Sequence, residues 1–138
     1  MPHLLVAGST GSGKSVCLNS IILSLMYKSS PEDVRIILID PKRVEFNKYE
    51  GLPHLMLKNV ITDPDKAIAA FGWAINEMNR RFDLFQALGS KDINSYNERI
   101  NPETDQKLCR IVIIVDELAE LMMGKRKDEI ETRIQRLA

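Results

Sequence analysis

Apolar positions along the chain alternate between spacings typical of strands and spacings typical of helices. Residues 34–39 and 111–115 are nearly continuous aliphatic runs, the pattern expected of parallel strands that are covered on both faces. Residues 4–7 form a shorter aliphatic run, which predicts another buried strand that leads into a glycine-rich loop. Val60-Ile61 predicts a short edge strand. The chain is therefore expected to contain a sheet whose strands are far apart in sequence.

Helical spacing separates these strands. It follows the glycine-rich loop over residues 14–27, and it returns in a longer segment that begins at Asp63-Pro64 and ends at Gly89. A shorter amphipathic segment precedes the loop at Asn101-Pro102, and a last one reaches the end of the chain. The long helix carries one apolar seam, formed by Ile68, Phe71, Ile75, Met78, Phe82 and Phe85. Alternating strands and helices predict an α/β fold, a parallel sheet flanked by helices.

Composition narrows the class of protein. A length of 138 residues favours one domain, and 44% hydrophobic residues exclude a disordered chain. Nineteen basic residues balance nineteen acidic ones, so the net charge supplies no general attraction to nucleic acid or to an anionic membrane. Two cysteines are too few for a disulfide framework. No apolar run approaches the roughly 20 residues that a bilayer requires, so we expect a cytoplasmic location.

The strongest motif is the run from position 8 to position 15, which matches the phosphate-binding loop Gly-x4-Gly-Lys-Ser/Thr (Walker A) in full. Its glycines allow the backbone amides to face phosphate oxygens, and the following helix adds its positive end. Lys14 can reach the β- and γ-phosphates of a nucleotide, and the Ser15 hydroxyl can bind magnesium. The residues expected to contact the nucleotide are Gly8, Ser9, Thr10, Gly11, Ser12, Gly13, Lys14, Ser15 and Val16.

Two acidic residues, Asp116 and Glu117, follow the second aliphatic strand, so residues 111–117 resemble a Walker B segment. The carboxyl end of a parallel strand is where α/β sheets bind ligands. In a nucleotide hydrolase Asp116 would hold magnesium and Glu117 would polarise the attacking water. The alternative is that the pair only caps the next helix, since acidic residues are favoured there. The upstream phosphate loop favours the hydrolase interpretation, with Glu117 and Lys14 as catalytic residues.

Asp40-Pro41-Lys42 ends the other aliphatic strand, so it is also expected at the ligand-binding edge. Two interpretations stay open for these residues. They either contribute to a nucleotide site, or they form an ordinary strand-ending turn with a surface lysine.

Longer segments resemble the motor domain of the FtsK/SpoIIIE DNA translocases. These segments are residues 2–8, 38–42 with Val44-Glu45, 49–55, 60–64, 74–81, 96–97, 115–123 and 136–138. The resemblance implies that residues 1–138 are a partial RecA-like P-loop ATPase domain that uses ATP and Mg²⁺. It also implies a ring, commonly hexameric, that moves double-stranded DNA in chromosome partition and cell division, at the cytoplasmic face of the cell membrane. Any membrane contact would be made by other segments of such a protein.

Motors of this family continue with another core strand and further ATPase and DNA-contacting segments. We therefore expect a domain incomplete at both ends, which self-associates or packs unusually and hydrolyses ATP poorly by itself. Two alternatives remain at this point. One is a related secretion or conjugation ATPase, and the other is a nucleotide-binding, self-associating module without turnover.

Overall fold

The computed structural model describes residues 3–9 and 11–138, and it forms a parallel two-stranded sheet with helices on both faces. The elements in chain order are α1 (Lys14–Lys28), β1 (Val34–Ile39), a short 3-10 helix (Asn47–Tyr49), α2 (Pro64–Leu88), α3 (Ile93–Arg99), β2 (Arg110–Val115), α4 (Leu118–Met122) and α5 (Lys127–Leu137). The predicted strands at 34–39 and 111–115, and the predicted long helices, are therefore confirmed.

The register of the sheet sets the position of the site. Val34 pairs with Arg110 and Ile39 with Val115, in parallel. The amide of Asp116 continues this ladder by donating to the Ile39 carbonyl at 2.9 Å. Because the strands are parallel and in this register, the residues that follow them lie side by side at one edge of the sheet.

The side of β1 that faces away from β2 is covered by an irregular segment. Ile36 bridges to Leu55 and Ile39 to Ile61, both in the parallel sense. Residue 61 thus occupies the edge position predicted for Val60-Ile61, although it forms a single bridge and not a strand. This arrangement makes β1 the central, buried strand of the described chain.

Side chains of β1 alternate between two apolar cores, as the period of a strand requires. Ile36 and Leu38 pack in the first core with Ile22 of α1. Ile37 and Ile39 pack in the second core, which is completed by α2, α4 and α5. Phe46, Ile39 and Ile130 are fully buried. The two cores fix α1 on one face of the sheet and α2 with α5 on the other.

The predicted strand at residues 4–7 is wrong. The structure assigns no strand there, and Leu4 and Leu5 are 57% and 81% exposed. A strand requires a partner for its backbone groups, and within the described residues the sheet contains only β1 and β2. The aliphatic run therefore leads to the glycine-rich loop as irregular, largely exposed chain.

Helix α2 begins and ends as predicted. The Asp63 carboxylate accepts hydrogen bonds from the amides of Asp65 and Lys66 at 2.8 and 3.1 Å, and Gly89 closes the helix in the left-handed conformation. Its seam is buried at Ile68, Phe71 and Ile75, but Phe82 is 59% exposed. Within residues 3–9 and 11–138, no helix is long and apolar enough to cross a membrane.

Candidate nucleotide-binding site

The glycine-rich loop reaches α1 through a left-handed residue. Gly11 and Gly13 have φ angles of +82° and +91°, and Gly13 directly precedes the first residue of α1. A residue with a Cβ atom is strained in this region, which explains glycine at both positions. Because Gly13 has no side chain, no capping group of the described residues competes for the first amides of α1, and the positive end of the helix stays available to an anion.

Within this loop the amide of Ser12 donates to the Ser9 carbonyl at 3.1 Å, which makes a tight turn. Thr10, one of the predicted nucleotide contacts, lies outside the described residues. Ser15 is partly buried in the first turn of α1, while Val16 is 69% exposed. The binding roles predicted for residues 8–16 stay predictions.

Lys14 joins the loop to the end of β2. Its ammonium donates to Glu117 Oε2 at 3.1 Å and lies 4.0 Å from Asp116 Oδ1. These residues are separated by more than 100 positions in the chain, and the strand register with the packing of α1 brings them together. The hydrogen bond to Glu117 raises the pKa of Lys14, although burial opposes the change. The structure thus places the predicted catalytic lysine and both predicted acids in one cluster.

Asp116 is the buried acid of this cluster. Its side chain is 8% exposed, and its Oδ1 atom is buried without a hydrogen-bond donor among the residues that the structure describes. Burial raises the pKa of this carboxyl, the charges of Asp40 and Glu45 act in the same direction, and Lys14 opposes them. A buried carboxylate oxygen that lacks a donor is costly unless a cation approaches it. Hard oxygen ligands of this kind suit Mg²⁺, so the residues present fit that ion.

Glu117 lies at the junction between β2 and α4, with a φ angle of +52°. Few residues other than glycine adopt this conformation, and such positions concentrate at functional sites. Its carboxylate is 31% exposed and lies 3.1 Å from the Lys14 ammonium and 4.0 Å from the Lys42 ammonium. The hydrogen bond to Lys14, followed by the charges of Lys14 and Lys42, lowers the pKa of Glu117.

Asp40 and Lys42 have different positions at the edge of the sheet. Asp40 is fully buried, and its Oδ2 atom accepts hydrogen bonds from the amides of Glu45 and Phe46 at 2.9 and 3.1 Å. It therefore holds the turn after β1. Lys42 extends from this turn to the acids, with its ammonium 4.0 Å from Glu117 Oε2 and 3.8 Å from Glu120 Oε2.

Glu120 was not expected in this cluster from the sequence. It lies in α4 three positions after Glu117, but Glu117 precedes that helix in the left-handed conformation, so the rule that residues three apart share a helix face does not apply. The sequence therefore carried no usable signal for this contact. Another missed contact is the Tyr49 hydroxyl, which donates to Asn19 Oδ1 at 2.6 Å and ties the segment after β1 to α1.

The model of the FtsK/SpoIIIE family matches residues 1–138, so the resemblance noted in the sequence is confirmed. The chain is 57% identical over 138 residues to the "DNA translocase FtsK" of Caldanaerobacter subterraneus subsp. tengcongensis, which covers all of this chain and 19% of that protein. Proteins of the same name from Clostridium tetani and Staphylococcus aureus are each 54% identical, over 18% of their lengths. The chain thus spans about a fifth of the length of these relatives.

Among solved structures, the chain is similar to the monomer form of the pCW3 conjugation coupling protein TcpA with ATPγS. The TM-score is 0.67 at 33% identity, and the match covers 99% of this chain and 36% of that one. This likeness, together with the parallel sheet and its flanking helices, confirms the predicted P-loop α/β fold class.

Proposed function

The chain belongs to the FtsK/SpoIIIE family, and we propose that it forms the ATP-binding core of an ATP-driven double-stranded DNA translocase. One observation carries this proposal beyond family membership. The Lys14 ammonium lies 3.1 Å from Glu117 and 4.0 Å from Asp116, so the phosphate loop and the acids after β2 form one site. We further propose that the complete protein works as a ring, commonly hexameric, in chromosome partition.

In this proposal the loop binds the triphosphate of ATP. Gly11 and Gly13 shape the backbone, and the first amides of α1 donate to phosphate oxygens. Ser15 and Asp116 would hold Mg²⁺, since a hydroxyl oxygen and a carboxylate oxygen to which no described residue donates are suitable ligands. When bound, Mg²⁺ neutralises phosphate charge as the terminal phosphoryl group leaves.

Lys14 changes partner when ATP binds. Without nucleotide its ammonium is paired with Glu117, and the more highly charged phosphates compete for the same ammonium. Moving Lys14 to the phosphates releases the Glu117 carboxylate, which can then accept a proton from the attacking water. The same event therefore positions the phosphates and frees the base.

A second candidate function is that of a conjugation ATPase. It is favoured by the likeness to the pCW3 coupling protein TcpA, a structure that contains ATPγS. The curated relatives at 51–57% identity carry the name "DNA translocase FtsK", and the TcpA structure is 33% identical. We therefore rank the translocase first.

Two substitutions test the site. Lys14→Ala should abolish binding of a fluorescent ATP analogue, because it removes the charge that faces the phosphates. Glu117→Ala should keep binding and lose turnover by at least a hundredfold, since it removes only the base. Lys58→Ala and Glu103→Ala are matched controls, because both residues are exposed and distant in sequence from the cluster.

The measurements are equilibrium binding to the chain and ATP turnover by the complete gene product with and without linear double-stranded DNA. If the protein binds nucleotide normally but DNA does not stimulate its ATP turnover, the translocase proposal is contradicted. Wild-type binding by Lys14→Ala would contradict the site itself. Binding without any turnover in the complete protein would favour the nucleotide-binding module.

A further inference from the structure

The Glu117 carboxylate lies between two ammonium groups that come from different parts of the fold. Lys14 approaches from the start of α1 at 3.1 Å, and Lys42 approaches from the turn after β1 at 4.0 Å. The proposed function gives a role to Lys14 and none to Lys42. Both ammonium groups face the same Oε2 atom of Glu117.

The backbone of Lys42 is fixed by its turn. That turn is held by the buried Asp40 carboxylate, which accepts from the amides of Glu45 and Phe46. The Lys42 ammonium also lies 3.8 Å from Glu120 Oε2 on α4, but both side chains are about half exposed, and exposed ion pairs contribute little. The fixed turn, more than the ion pair, therefore keeps the ammonium close to Glu117.

When Lys14 moves to the phosphates of ATP, Glu117 loses its nearest partner. Glu117 has a φ angle of +52° and lies just before the first residue of α4, so it is not part of that helix. Lys42 remains as the next cation, and the short distance of 4.0 Å allows contact after a small rotation. A general base must lie within hydrogen-bond reach of the proton that it takes, so an unheld carboxylate is a poor one.

We infer that Lys42 is a positioning residue, which pairs with Oε2 of Glu117 when Lys14 moves to the nucleotide and leaves the other carboxylate oxygen to accept the proton of the attacking water. The inference rests on the proposed function and deepens it. It also explains why the turn after β1 is fixed by a buried carboxylate. Lys42 thus couples the ends of β1 and β2 across the site.

The test is turnover and nucleotide affinity of Lys42→Ala in the complete gene product. We expect kcat to fall about tenfold or more, while the Kd for the ATP analogue stays within twofold. Lys42→Arg should recover most of the loss, since it keeps the charge. Lys58→Ala is the matched control. Unchanged kcat in Lys42→Ala, or an equal loss of affinity and kcat, would overturn the inference.

The outcomes separate the two proposals. If Glu117→Ala keeps wild-type turnover, the proposal that Glu117 is the general base is refuted. If Glu117→Ala is inactive while Lys42→Ala has normal kcat, only the role of Lys42 is refuted. In the double variant Glu117→Gln with Lys42→Ala, the second change should have no further effect, because residues that act as a unit are not additive.

Discussion

Replacing Glu77 by glutamine should remove a pH-dependent brace between α2 and the sheet. The Glu77 carboxylate is 14% exposed and accepts hydrogen bonds from Arg80 and from Arg81, each at 2.7 Å. Arg81 also donates to the Cys109 carbonyl at 2.7 Å, directly before β2. Hydrogen bonding to Arg80, and then to Arg81, lowers the pKa of Glu77 from 4.5 to about 2 against the opposing effect of burial.

The sign and size of the effect follow from this pKa. A carboxyl whose pKa is lower in the folded state stabilises the fold above its unfolded pKa, and the contribution is lost as the pH falls through the folded pKa. The drop from 4.5 to about 2 sets a ceiling of about 3 kcal/mol. Arg80 is 54% exposed, so solvent screening reduces the expected contribution to about 1–2 kcal/mol.

The assay is urea denaturation of the wild type and Glu77→Gln at several pH values between 2 and 7. The variant should be about 1–2 kcal/mol less stable at pH 7, and the two curves should converge as the pH falls from about 5 to 2. Glu103→Gln, at an exposed loop position, is the matched control and should follow the wild type. A constant gap between wild type and Glu77→Gln at all pH values would refute the ion-pair reasoning.

Two further substitutions probe the frame of the site. Asp63→Ala removes the cap that accepts two amide hydrogen bonds at the start of α2, and it should lower the free energy of unfolding by about 1 kcal/mol. Asp63→Asn should lose much less, and equal losses in both variants would contradict the capping role. Tyr49→Phe removes the hydroxyl that donates to Asn19 and should also cost about 1 kcal/mol in urea denaturation, whereas unaltered stability would mean that the contact is not formed in solution.

Much of the fold could be predicted because its signals are local. The aliphatic runs of β1 and β2 identify strands from their own composition, and Asp63 and Gly89 mark the ends of α2 through backbone chemistry in one turn. The prediction for residues 4–7 was wrong because a strand depends on a neighbour elsewhere in the chain. Local pattern does not contain that information.

The same distinction applies to the site. Lys14, Asp116 and Glu117 could be placed together in advance, since a phosphate loop and a parallel strand end meet at one edge of the sheet. The reach of Lys42 to Glu117 and Glu120 depends on the turn that Asp40 holds and on the angle of α4. Both are products of tertiary packing, so the sequence left two interpretations of Lys42 open.

The left-handed backbone of Glu117 has a consequence for engineering. This conformation costs a residue with a Cβ atom about 1 kcal/mol, and glycine or asparagine tolerates it more easily. A directed-evolution screen that rewards heat resistance alone should therefore enrich Glu117→Gly or Glu117→Asn. Each such variant would be more heat-resistant but would lack the carboxylate. Selection for stability and selection for activity therefore favour different residues at this position.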